Sequence, residues 1–217
     1  MIEIIHSKLK TILGIHKEQT MKTQQLNELL YQALETEAGG VQVYETAIRC
    51  AVNPELKEEW QTYLEQTRTH EQIAREMVEK MGLDPAEDTP GRQVVRHKGE
   101  SLVEAMKMAL KANNPEAAQL VAAECVVTAE TKDHQNWELI GQAAEKMKGS
   151  EGQILKEAYE QVEDQEDEHL YHNMGWSREL WMDSLGLPAV LPPPEEEKDV
   201  KTAVDAAHAK KSRKQML

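Results

Sequence analysis

Proline and glycine cluster at a few boundaries of this sequence, and the stretches between them are dominated by helix formers. Alternating β-branched runs are scarce, with Val94-Val95 and Val126-Val127 as isolated pairs, so the fold class is all-α. The spacing predicts a first long helix from about Thr23 to Ala51. Asn53-Pro54 stops it and opens a second, because an asparagine side chain caps free N–H groups and a proline fits the first turn. The second helix runs to about Met81. Gly82, Asp84, Pro85, Asp88, Pro90 and Gly91 read as a loop, and Ser101-Leu102-Val103-Glu104 reads as a capping box that opens a short helix ending near Ala112. Asn114-Pro115 begins the third long helix, which continues to about Lys148. Gly149 ends it, Ser150-Glu151-Gly152-Gln153 reads as a second capping box, and the fourth long helix reaches about Leu185.

These segments make two helical hairpins joined by a long connection. Antiparallel neighbours need only short loops, so the long connection lets the third helix start at the same end as the second. That pattern is an antiparallel four-helix bundle with one crossover, occupying residues 21–185. Residues 1–20 read as an N-terminal extension or an extra helix. Residues 186–217 read as an extended or disordered tail, since a run of prolines followed by Glu195, Glu196 and Glu197 buries too little apolar surface to fold by itself.

Composition narrows the function classes. The net charge of −14 disfavours nucleic acid, which needs a surplus of Lys and Arg. No apolar run approaches the roughly 18 to 20 residues that span a bilayer, and the first twenty residues lack the apolar centre of a secretion signal. A soluble cytoplasmic protein is the expectation, and its acidic surface is compatible with a homodimer. Two cysteines, Cys50 and Cys125, are too few for a disulfide framework and are assigned to packing.

Helical positions three, four or seven apart share a face. On the first helix Glu37 lies on one face with Leu30, Leu34, Val41 and Tyr44; on the third, Glu130 lies with Ala123, Val127, His134 and Trp137. On the second helix His70 shares a face with Tyr63, Thr67 and Ala74, and on the fourth Glu166 and His169 share one with Val162 and Asn173. The midpoint between Glu37 and His70 falls between Asn53 and Pro54, and that between Glu130 and His169 falls between Gly149 and Ser150. Both midpoints are predicted turns. Each hairpin therefore sets a Glu opposite a His, about 24 Å from the first turn and about 29 Å from the second at roughly 1.5 Å per residue. The stretches beginning at Tyr44 and Trp137, each seven residues after its glutamate, also align, as an internal duplication would make them.

With one Glu on helices one and three and an inward His on helices two and four, residues 23–185 resemble the ferritin-like di-iron carboxylate superfamily. The resemblance implies metal ligation by Glu37, His70, Glu130, Glu166 and His169, with Glu37 and Glu130 as terminal carboxylates, Glu166 as a bridge, and Tyr44 near the metals. It also implies iron, or else manganese or zinc, and oxygen or peroxide chemistry of oxidase, peroxidase or hydroxylase type. The chain departs from the family pattern at Thr67, where a second bridging glutamate is required three residues before His70. His134 adds a further metal-ligand candidate. The expectation is thus an unequal site, tighter at Glu130, His134, Glu166 and His169 and weaker at Glu37 and His70. Alternatives are a metal-free interaction or stress-response protein with the same fold, and an iron-storage ferroxidase.

Overall fold

The computed structural model describes residues 23–188, which form five helices and no strand. The expected N-terminal extension and all of the tail beyond residue 188 lie outside the described residues. Helices α1 (Thr23–Cys50), α2 (Pro54–Lys80), α3 (Pro90–Lys111), α4 (Pro115–Lys146) and α5 (Ser150–Ser184) follow one another through short connections. Three of them start with the same grammar. Asn53 Oδ1 accepts from the N–H groups of Glu55 and Leu56, Thr89 Oγ1 from that of Arg92, and Asn114 Oδ1 from that of Ala117, each just ahead of a proline.

The second of these starts corrects the sequence reading. Helix α3 begins at Pro90, and Ser101, expected to cap a short helix, lies inside a long one with its hydroxyl donating to the His97 carbonyl at 2.8 Å. A threonine cap followed by Pro-Gly resembles a turn when only local signals are weighed, whereas here Gly91 sits directly against Glu28 and Gln32 of α1. Arg92 and Arg96 then hold Glu35 of α1 from Nε atoms at 2.6 and 2.7 Å. The cap expected at Ser150 also differs: Gly149, at φ 85°, precedes α5, and no side chain caps it.

Helix α1 packs on α2, α3 and α4, while α5 packs along α4 and on α2, and α3 also touches α4. The apolar interior is divided along the helix axes into two clusters. One contains Val43, Tyr44, Trp60, Tyr63, Val126 and Trp176. The other contains Leu30, Leu34, Ala74, Trp137, Ile140 and Val162. On each of α1, α2, α4 and α5 the switch from one cluster to the other occurs at the positions of Glu37, His70, Glu130 and Glu166. A buried polar layer therefore lies between two dry ones.

Candidate metal centre

Glu37, His70, Glu130, Glu166 and His169 are all buried, none more than 4% exposed. His70 Nδ1 lies 2.9 Å from Glu166 Oε1 and 3.9 Å from Glu37 Oε1. His169 Nδ1 lies 3.6 Å from the same Glu166 oxygen and 3.7 Å from Glu130 Oε2. The two imidazoles stack with centroids 5.6 Å apart. Glu166 thus stands between the two histidines.

His134 is placed elsewhere. Its side chain is 24% exposed, its Nδ1 lies 3.3 Å from Asp167, and its ring meets Tyr171 edge-on at 6.0 Å. It lines a cavity of about 240 Å³ shared by Trp137, Tyr159, Glu166, Asp167 and Tyr171, so it flanks an approach to Glu166 and stays out of the buried cluster. Thr67 is buried but turned back on its own helix, with its hydroxyl donating to the Tyr63 carbonyl at 2.9 Å and its methyl facing Gly40 of α1.

Three residues join the cluster that the sequence reading left out. Asp133, one turn beyond Glu130 on α4, is 5% exposed and groups with Glu37 and Glu166 closely enough for the three carboxylates to hold one ion. Its spacing from Glu130 equals that of His169 from Glu166, which was the available signal. Gln165 Oε1 lies 2.8 Å from His70 Nε2, and Gln66 Oε1 lies 2.8 Å from His169 Nε2. Each glutamine is four residues before the histidine of its own helix and reaches the histidine of the other. An amide oxygen only accepts, so each Nε2 carries the hydrogen, and in the neutral ring the Nδ1 lone pair faces the carboxylates.

Contacts also cross between the two helical hairpins. Trp137 Nε1 donates to Glu37 Oε1 at 2.7 Å. Tyr44 lies by Glu130, and burial together with that charge pushes its phenol well above its ordinary value. Asn173 ties the cluster to its flank, accepting from Trp60 Nε1 at 2.7 Å and donating to the Tyr44 hydroxyl at 3.2 Å.

Burial in one apolar enclosure and mutual repulsion raise Glu37, Asp133 and Glu166. Glu37 is lifted well above 4.5 by burial and then by Asp133 and Glu166, and Asp133 is lifted well above 3.8 by burial, Glu166 and Glu130. Glu166 is pushed up to about 8 by burial and by Glu130. Burial lowers His70 against the raising effect of its bond to Gln165. The short contact between Glu166 and His70 accordingly joins a carboxyl shifted toward its protonated form to an imidazole shifted toward its neutral form.

Among the described residues, the buried side-chain polar atoms with no hydrogen-bond partner are Glu37 Oε2, Glu130 Oε2, Asp133 Oδ1, Glu166 Oε2 and His169 Nδ1. All five belong to this one cluster. Native interiors satisfy nearly all buried polar atoms, because each orphan costs on the order of 1 to 3 kcal/mol. Five electron-pair donors left bare together fit a bound cation. No family model, curated protein or solved structure matches the chain.

Proposed function

We propose that this chain is a ferritin-like metalloprotein that holds iron or manganese in its buried polar layer and uses it in reactions with dioxygen or peroxide. In this reading α1, α2, α4 and α5 are the four helices of an antiparallel bundle, and α3 lies within the crossover between its two hairpins. The observation that carries the reading is the convergence of five unpartnered buried donor atoms on one layer from α1, α4 and α5, beside His70 of α2. Oxygen and imidazole donors suit iron and manganese, and zinc can occupy the same set.

Glu37, His70, Glu130, Glu166 and His169 would hold the metal, with Asp133 beside them. Once bound, iron or manganese would supply redox equivalents and an open coordination position for the oxidant. The protein's part is legible in its own side chains. Gln66 and Gln165 hold the imidazoles so that Nδ1 faces inward, as outer partners of metal-bound histidines do. Trp137 orients Glu37, and the apolar clusters on both sides exclude water. Glu166 can give up its proton when a cation replaces it.

Thr67 favours a second reading, a metal-free helical protein of the same fold whose cluster survives as protonated acids and hydrogen bonds. Anaerobic loading of the metal-stripped protein with ferrous iron, followed by elemental analysis and stopped-flow mixing with dioxygen or hydrogen peroxide, separates the two. Retained iron in at least equimolar amount and an absorbance change on mixing are expected. A folded protein that retains no metal would overturn the proposal and leave the metal-free reading.

A further inference from the structure

Resting on that reading, we infer that the cluster contains two chemically different cation positions that share Glu166: one with both imidazoles, and one made only of carboxylates from Glu37, Asp133 and Glu166. The donors divide into two groups, His70, Glu166 and His169 in one and Glu37, Asp133 and Glu166 in the other, each compact enough for a single ion. Glu166 belongs to both. Its Oε1 faces the two Nδ1 atoms, and its Oε2 is one of the unpartnered oxygens.

The orphaned atoms divide in the same way. Glu37, Asp133 and Glu166 each have one bare oxygen, while His169 Nδ1 and Glu130 Oε2, 3.7 Å apart, belong to the imidazole side. Asp133 thus brings from α4 the carboxylate that Thr67 does not bring from α2. Four ionised carboxylates would also match the charge of two divalent cations, where Glu37, Glu130 and Glu166 alone fall one short.

Donor chemistry then assigns the ions. Carboxylate-only positions suit hard cations of the manganese or magnesium class, whereas imidazole nitrogens favour zinc or ferrous iron. The consequence is a mixed-metal centre in which the two positions fill with different ions.

Metal-stripped full-length protein is equilibrated without oxygen with one equivalent of Zn²⁺ and an excess of Mn²⁺, freed of unbound metal and counted by elemental analysis. One zinc and one manganese per chain are expected. Asp133→Asn should keep the zinc and lower retained manganese at least tenfold at equal free concentration. Glu37→Gln, which retains an acceptor for Trp137, should do the same and serves if the first variant does not fold. Wild-type protein that holds zinc without manganese, or a folded Asp133→Asn that keeps both ions or loses both, would overturn the two-position inference while leaving the metal-binding proposal intact. Wild-type protein that holds neither ion would overturn the proposal itself.

Discussion

The two glutamines show how much one uncharged side chain can decide at a buried site. His70 and His169 each have two ring nitrogens, and only the bonds from Nε2 to Gln165 and Gln66, both 2.8 Å, specify which one faces the acids. Replacing either glutamine with leucine leaves its histidine in place but removes that orientation. Outer partners of this kind are worth roughly 10- to 100-fold in metal affinity. Gln66→Leu and Gln165→Leu should each weaken metal retention by about that factor, read as the shift in midpoint when a chelator competes for the metal. An unshifted midpoint would show that packing alone aims the rings.

Among the elements, α3 depends most on a few polar contacts. Glu35 of α1 is buried, and Arg92 and Arg96 hold it at 2.6 and 2.7 Å, while Arg92 also donates to the carbonyls of Pro85 and Glu87. Burial would raise Glu35, but these two guanidinium groups outweigh it and hold the carboxyl below its ordinary value. Glu35→Ala would leave Arg92 buried without its counter-ion, a loss worth about 3 to 5 kcal/mol for a buried pair. Thermal unfolding should show that loss, with hydrogen exchange rising first along α3. The element also marks where local signals stop being sufficient. Pro90 and Gly91 read as loop residues by themselves, and what makes them helical is the α1 surface formed by Glu28, Gln32 and Glu35, more than 50 residues away in sequence.

At the scale of the molecule, a protein that encloses several acids in one apolar layer has a stability tied to their protonation. Glu166, ordinarily near 4.5, is raised to about 8, and Glu37 and Asp133 are raised as well. The folded state therefore binds these protons more tightly than the unfolded state, and stability falls as pH rises from about 4.5 through about 8. His70, held below 6.5, acts in the opposite sense up to that pH and contributes nothing above it. The melting temperature of the metal-free protein should accordingly drop between pH 6.5 and 8. Saturating divalent metal should flatten or reverse the slope, since ligand at about 100 times its Kd adds roughly 2.7 kcal/mol. A metal-free melting temperature that is level across this interval would mean that the acids are solvated. Much of this arrangement is local in origin and so was readable in the sequence. Periodicity and the Pro and Gly boundaries, with caps at Asn53 and Asn114, determined the four long helices, and the distances of Glu37, His70, Glu130 and His169 from their turns determined that they meet at one level. Helical angle by itself misleads at the next step. His134 lies about 40° from Glu130 and Asp133 about 60° from it on the other flank, so angle alone ranks the histidine as the better ligand. Only the placement of neighbouring helices decides what each flank meets: Asp133 turns toward Glu37 of α1 and is enclosed, while His134 turns toward Asp167 at the edge of α5 and stays partly in solvent.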